Sequence, residues 1–433
     1  MGGPRSLPPA RAAALAALDD TLPLDQRAAL DVQAALDRAL RPLEDPRDRG
    51  LATELVYGWL RLKGRMDHLV RRQLSRPDGT PPMALRLLSL GAYELVHLDQ
   101  VPPHATLSWT VDAVRARCGE GPARLANAVL RRIQALGRDA SNPEFYRHGA
   151  QNRLEFLSVW HSMPAWIVKI WLDQYPDTAQ HLLESQTASP LAGFRLNRAR
   201  PDAQTLFNEL TRSAPARAAF PWIAFEPHSV PPGLEDACRD GLASRQSFAA
   251  GDMLQRLGFE RWPGPVWDAC AGRGGKSLAL AESGVRPLWA SDVSAPRLRG
   301  HRQDAWRLGL ECPALFFADA TRPPLKASPA VILVDAPCTG LGVLSRRPDA
   351  KWKRTFADIG RMVALQRRIV GNAARLLKPG GLLAYITCTL TLQENEQQAA
   401  HLESLGFRRR DKSGTAFDAG LREFFWGGAW EKS

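Results

Sequence analysis

"VWDACAGRGGKSLALAES", Val266–Ser283, decides how the second half of this chain is read. An apolar run ends on an acid, Asp268. Glycines Gly272, Gly274 and Gly275 then make a turn, and Leu and Ala at helical spacing follow. A strand, a glycine-rich turn and a helix in that order open a strand–helix–strand unit. Such a turn lets a ligand approach the backbone, and the free N–H groups at the helix start suit a carboxylate or a phosphate. The loop is neither GxGxxG nor GxxxxGK[ST], so a nucleotide phosphate is not its first expectation. Read alone, the stretch is equally well a tight strand-to-helix turn.

The text outward from it settles the fold class. "PLWASDV", "PALFFADA", "AVILVDAP" and "GGLLAYITC" read as strands, and "APRLRGHRQDAWRLGL" and "IGRMVALQRRIVGNAARLL" as helices. Alternation at such short intervals implies a parallel, doubly wound sheet, an α/β Rossmann-like domain. Asp268, Asp292, Asp319 and Asp335 end four of these strands. Open α/β sheets bind ligands in the crevice at those strand ends. A single strand-end Asp is usually a turn or helix cap. Four beside a glycine loop better fit a ligand without phosphates, such as S-adenosyl-L-methionine, whose ribose, adenine amino group and sulfonium all tolerate acids.

Two strands also deliver thiols: "LVDAPCTGLG", Leu333–Gly342, carries Cys338, and "YITCTL", Tyr385–Leu390, carries Cys388. A lone cysteine is most often a small buried residue, and that is the expectation for Cys118, Cys238, Cys270 and Cys312. Cys338 and Cys388 are different, because both follow apolar strands that can be neighbours in one sheet. Methylation of cytosine at C5 needs such groups. A thiolate adds to C6, an acid holds the polar edge of the base, and another group assists release of the product. The residues by themselves do not rank the two thiols.

The rest of the chain is organised differently. From Arg11 to about Leu136, Leu, Val and Ala recur at three- and four-residue steps, which reads as helix after helix. Residues 138–151 are polar and loop-like. Between 152 and about 235 a helix, "MPAWIVKIWLDQY", precedes two short strands, "AGFRLNR" and "AFPWIAFEP", with the helix "PDAQTLFNEL" between them. The expected domains are therefore 1–140, all-α; 141–235, a linker and small α/β subdomain; and 236–433, the Rossmann-like domain.

Composition bounds the function. With 433 residues, more than one domain is expected. A formal charge of +12 and a pI of about 9.8 favour a polyanionic partner, nucleic acid first, although Arg-rich usage has the same appearance. The six cysteines form no CxxC, which argues against structural zinc and a secreted disulfide scaffold. No run approaches the ~18 apolar residues of a membrane span. A cytoplasmic monomer with no metal and no membrane partner is expected.

"DACAGRGGK", "SDVS", "ADAT", "VDAPCTGLG" with "RRPDAKWK", and "ITCTLTLQENEQ" resemble, in order, the motifs of the RNA 5-methylcytosine methyltransferases. "DRGLATELVYGWLR", "LSLGAYELVHLDQVPPHATLSWTV" and "LANAVLRRI" resemble a NusB-like helical domain. The combination resembles the RsmB (Sun/Fmu) family, which methylates 16S ribosomal RNA. The resemblance implies Cys388 as nucleophile, Cys338 as release thiol and Asp335 as the acid at the cytosine edge. It implies S-adenosylmethionine contacts at Cys270, Ala271, Gly272, Arg273, Gly274, Gly275, Lys276, Asp292, Asp319 and Asp335. It also implies ribosomal RNA as partner and a NusB-like domain that binds RNA or a partner protein. Arg273 stands where the family usually has proline, Thr389 where it has serine, and the tail "REFFWGGAWEKS" departs from the usual form. Arg346, Arg347, Lys351 and Lys353, with Trp352 among them, are candidate RNA contacts, and Arg65, Arg71 and Arg72 weaker ones. The same chemistry on another rRNA or tRNA cytosine, a non-catalytic RNA-binding assembly factor and a DNA cytosine methyltransferase are the alternatives. Keeping both thiols argues against the last two.

Overall fold

The computed structural model describes residues 7–410, 414–415, 417–418 and 420–433. Two compact units divide the chain: Met1–Thr187 with Arg347–Lys353, and Ala188–Arg346 with Arg354–Ser433.

The first unit is helical. It contains α1 (Pro9–Thr21), α2 (Val32–Leu40), α3 (Pro46–Arg72), α4 (Pro82–His97), α5 (Pro103–Cys118) and α6 (Glu120–Leu136). It runs on through α7 (Pro143–Gly149), α8 (Arg153–Trp160), α9 (Ala165–Gln174) and α10 (Ala179–Thr187). Proline opens α1, α3, α4 and α5, where a missing N–H costs nothing. The periodic apolar residues bury Trp59, Leu87, Leu90 and Leu130. Polar groups taken inside are paired: Trp59 Nε1 donates to Ser89 Oγ at 2.9 Å, and Trp109 Nε1 donates to Glu94 at 2.7 Å. The unit extends past residue 140 because Tyr146 is buried in it, its hydroxyl donating to the Ala140 carbonyl at 2.6 Å. A polar stretch that reads as a linker is thereby anchored.

The second unit holds two sheets. The smaller is built from β1 (Ala192–Leu196), α11 (Ala203–Thr211), β2 (Arg217–Ala219), β3 (Trp222–Phe225), α12 (Leu234–Arg239) and β4 (Ala243–Arg245), in the antiparallel order β2-β3-β1-β4. The two-residue strand period sends Phe194 and Leu196 into its core and Arg195 the other way, onto Glu282. The last strand of this sheet, β4, lies beyond residue 235.

The larger sheet follows α13 (Phe248–Arg256). It runs through β5 (Val266–Asp268), α14 (Gly275–Glu282), β6 (Leu288–Asp292), α15 (Ala295–Arg307), β7 (Ala314–Phe317) and β8 (Val331–Asp335). After α16 (Ala350–Lys353), which belongs to the helical unit, come α17 (Phe356–Leu376), β9 (Leu382–Thr387), α18 (Glu396–Ser404), β10 (Phe407–Arg409), β11 (Gly414–Thr415) and β12 (Trp426–Lys432). The strand order is β10-β12-β9-β8-β5-β6-β7, with β11 beside β12. Strands β5 to β9 pair in parallel, as expected for a doubly wound sheet, whereas β12 and β10 run antiparallel at one edge. Both faces are covered. Val266, Val331, Leu333 and Ala384 pack with α13 and α14, while Trp267, Ile332, Val334 and Leu383 pack with α17 and α18. That is why these strands read as continuous apolar runs.

Candidate active site

The carboxyl ends of β5, β6, β7 and β8 carry the four acids. Gly272 and Gly274 after β5 have φ of 56° and 88°, a region that glycine adopts without strain. A Cβ on Gly274 would stand 2.4 Å from the His301 ring, whereas one on Gly272 would meet nothing within 4 Å. The loop is therefore packed on one side and open on the other. Its Gly272 N–H donates to Asp292 Oδ2 at 3.0 Å, and Ala271 N–H to the Ser291 carbonyl at 2.9 Å. Asp268 is fully buried and accepts from Ser277 Oγ at 2.5 Å; burial pushes its carboxyl up to about 7. Asp319 is exposed, and the Thr321 N–H holds its carboxyl below the usual range. Lys276 Nζ lies 2.6 Å from Asp335 Oδ2. Burial pulls that ammonium down, but Asp335, then Cys388 and Asp268, hold it above its ordinary value. The Cys270 thiol is pushed well up by burial and by all four carboxylates, so it stays protonated.

Register explains how the thiols meet. Asp335 on β8 pairs with Ile386 on β9, so Cys338 and Cys388 emerge just past paired positions. Their sulfur atoms are 3.3 Å apart, and neither is in a disulfide. Gly342, which closes "VDAPCTGLG", donates its N–H to the Cys388 carbonyl at 2.9 Å and accepts from Phe424 N–H at 2.8 Å. A Cβ there would stand 2.3 Å from the Phe424 carbonyl oxygen. Two residues without an assigned role hold both thiol turns. Glu394, fully buried, accepts from Thr339 N–H at 2.9 Å and from Gln366 Nε2 at 3.0 Å on one oxygen, and from the hydroxyls of Thr339, Thr389 and Thr391 on the other. Asn395 accepts from Thr387 Oγ1 at 2.6 Å and donates to the Thr389 carbonyl at 3.0 Å, bracketing Cys388. The Cys338 thiol is pushed well up by its hydrogen bond with Cys388, by burial, and by the charges of Cys388 and Glu394.

A glycine loop, four strand-end acids and two touching thiols match the order of motifs in one known group. Residues 261–411 match the family described as 16S rRNA methyltransferase RsmB/F, and residues 8–135 match the NusB family. Ribosomal RNA small subunit methyltransferase B of Thermus thermophilus is 34% identical over 84% of this chain and 81% of its own length. The chain belongs to the RsmB family of methyltransferases. The protein of the same name from Vibrio vulnificus is 32% identical over 82% of both chains. The solved structure of PH0851 has the same fold, with a TM-score of 0.76 and 20% identity over 99% of this chain and 100% of that one.

Arg273 in the loop and the tail after residue 420 are accommodated locally. Arg273 turns away from the loop: its guanidinium lies against Gly300 and pairs with Asp304 at 3.3 Å. Gly275 accepts from Arg195 at 2.7 Å and from Gln246 at 3.0 Å, which pins the start of α14. In the altered tail, Glu423 holds Arg346 at 2.6 and 2.8 Å and accepts from Ser247 at 2.8 Å.

The cations of the basic run Arg346–Lys353 all have partners within the protein, although Arg347 remains exposed. Arg346 is held by Glu423 and the Leu191 carbonyl. Arg347 pairs with Asp31, and Lys353 donates to the Leu30 carbonyl and Asp349. Lys351 is 1% exposed and donates to the Arg61 carbonyl at 2.8 Å, while Trp352 donates to that of Leu60 at 2.7 Å. Arg65 is likewise buried on the Trp160 carbonyl, Arg71 pairs with Asp78 and Arg72 lies over Phe145. Cys312, expected to be buried, is exposed. Among the described residues no group of acids, cysteines and histidines is arranged to hold a metal, and no helix is long and apolar enough to cross a membrane.

Proposed function

We propose that this chain methylates C5 of a cytosine in 16S-type ribosomal RNA, using S-adenosylmethionine as methyl donor and Cys388 as a covalent nucleophile. The substrate class rests on relatives named for the small ribosomal subunit. The crevice fits the donor. It offers an open glycine cradle at Gly272 and carboxylates at Asp292, Asp319 and Asp335, and the buried cation Lys276 is already paired. S-adenosylmethionine would supply an electrophilic methyl group. The backbone of Cys270 to Lys276 and the three carboxylates would hold it.

The observation that carries the mechanism is the 3.3 Å sulfur pair beside the Lys276–Asp335 ion pair. Two thiols in contact do not both ionise at neutral pH, because each thiolate raises the cost of the other. Cys338 is pushed up in contact with Cys388, and Lys276 feels the charge of Cys388. This polarity supports Cys388 as thiolate and Cys338 as neutral thiol. Cys388 would add to C6, which makes C5 enamine-like, while Asp335 holds the polar edge of the ring. Once C5 is methylated its proton would pass to water, the C5–H electron pair would re-form the C5–C6 double bond, and the electron pair of the C6–S bond would return to Cys388. Cys338, in contact with that sulfur, donates a hydrogen bond to it as it leaves. The NusB-like residues 8–135 would contact RNA or a partner protein.

The test compares Cys388→Ala and Cys338→Ala for methyl transfer and for covalent RNA adducts resolved on denaturing gels. The Cys388 variant should form no adduct and the Cys338 variant should accumulate one. The reverse pattern would exchange the two roles.

A further inference from the structure

Helix α15 has a face that neither the cofactor crevice nor the thiol site uses. Its sequence, APRLRGHRQDAWR, carries four arginines and one acid. Leu298, His301 and Ala305 bury one stripe. Arg299, Arg302, Gln303 and Trp306 stand at i, i+3, i+4 and i+7, which is a single outward stripe, and all four are exposed. Trp306 is 84% exposed, the highest value among the large exposed hydrophobics described. The one acid of the helix, Asp304, is taken by Arg273 and Arg307, each at 3.3 Å. Arg299 and Arg302 therefore have no carboxylate from their own helix.

On the flank of the same helix lies a groove of about 490 Å³ whose arginines are matched to acids, Arg245 to Glu235, Arg239 to Asp236, and Arg273 and Arg307 to Asp304, so the cations left for a ligand are those of the outward stripe. Exposed arginines on one helix face with an exposed aromatic ring are the pairing that single-stranded nucleic acid requires: cations for the backbone and a π-face for a base. A protein interface would need further apolar surface around the tryptophan, and the rest of this stripe is arginine and glutamine. The charge on the stripe and the +12 of the whole chain complement a polyanion.

We propose that α15 is a second RNA-contacting surface, outside the catalytic crevice, on which a single-stranded segment stacks one base on Trp306 and sets phosphates against Arg299 and Arg302. This deepens the RNA reading above and rests on it for the class of ligand. The test reads binding, so it is separable from the thiol chemistry. An unstructured RNA of about 12 nucleotides is titrated by fluorescence anisotropy against the full chain, Trp306→Ala, Trp306→Phe and Arg299→Ala/Arg302→Ala, with unfolding curves as a fold control. Trp306→Ala should bind roughly ten-fold more weakly, and Trp306→Phe should recover most of that loss. The double arginine variant should lower the slope of log affinity against log salt by about 1.4. At saturating RNA all three should turn over at the parent rate. An unchanged affinity and slope, or no binding by the parent, would overturn the proposal. So would a change confined to self-association in sedimentation, which would make the face a protein contact.

Discussion

Glu394 joins the two thiol turns, and its replacement tests whether that joint sets the site. In Glu394→Ala the hydroxyls of Thr339 and Thr389 can still pair with each other, since they already lie 2.7 Å apart. Gln366 keeps the Pro337 carbonyl at 2.9 Å. The Thr339 N–H, now donating to Glu394 at 2.9 Å, is left buried without a partner. That costs about 1–3 kcal/mol, and the vacated side-chain volume adds ~1–2 kcal/mol. The sum, roughly 2–5 kcal/mol, is a large part of a typical domain's stability. Glu394→Gln should behave differently. Its carbonyl can face Thr339 N–H and Gln366, and its NH2 can face three hydroxyls able to turn and accept, so the loss should stay within about 1 kcal/mol.

The pH dependence separates the two variants further. Burial pushes the Glu394 carboxyl up, against the hydrogen bonds that lower it. An acid with a raised folded value is favoured by the fold while protonated, and that contribution is withdrawn as pH rises above its unfolded value of 4.5. Glutamine has no such dependence, so Glu394→Gln should gain on the parent as pH rises. Urea unfolding at several pH values reads the stability, and methyl transfer reads the site. A shift of about 1 Å between the thiol turns would slow turnover on the order of 100-fold, so Glu394→Ala should be slow and Glu394→Gln close to the parent. If Glu394→Ala unfolded within about 0.5 kcal/mol of the parent, the brace would be refuted. A stable glutamine variant as slow as the alanine one would mean that the charge itself takes part in the reaction.

Two other substitutions probe the same scaffold. Gly342→Ala sets a Cβ 2.3 Å from a backbone oxygen of the tail, so the tail or the Cys338 turn must shift. We expect about 1–3 kcal/mol less stability in urea unfolding and slower adduct formation at Cys388. Asp268 keeps its proton in the fold up to about 7 but loses it near 3.8 when unfolded, so its contribution to stability is withdrawn as pH rises through that window. Asp268→Asn should remove this slope, and unfolding at pH ~5 and ~8 that gave parallel curves for parent and variant would count against a buried, protonated Asp268.

The ends of strands were legible because their signals are local. An apolar run, an acid and a glycine lie next to one another in the chain, and Asp268, Asp292, Asp319 and Asp335 stand where that pattern implies. The meeting of Cys338 and Cys388 depends on the β8–β9 register over a separation of 50 residues, which no local pattern carries. Sequence could offer the pair only as a possibility, supplemented by family resemblance. Glu394 was within a quoted motif, yet a glutamate among Gln, Asn and Thr reads as solvated surface. Its role exists only once the turn of Thr339 is folded against it. The antiparallel edge was hidden for a similar reason: β12 is rich in Gly and Trp, and its direction is set by pairing with β9.

The two basic segments make the same point about charge. "RRPDAKWK" has the composition of a phosphate clamp, but its cations end on carbonyls and carboxylates of the protein itself. Lys351 and Trp352 meet the carbonyls of Arg61 and Leu60 on α3. Gly64, one turn on, has only 3.1 Å between its missing Cβ and the Trp352 ring. A lysine buried on a carbonyl with no carboxylate beside it cannot hold its charge at full strength, and burial with Arg61, Arg65 and Lys63 nearby draws Lys351 well down. "RLRGHRQDAW" reads as one more helix of a doubly wound sheet, yet it is the segment whose arginines and tryptophan face water. What separates the two is whether backbone acceptors lie within reach of the cation once the chain folds. A basic patch is therefore better sought by asking which cations the fold leaves uncompensated than by counting them along the chain.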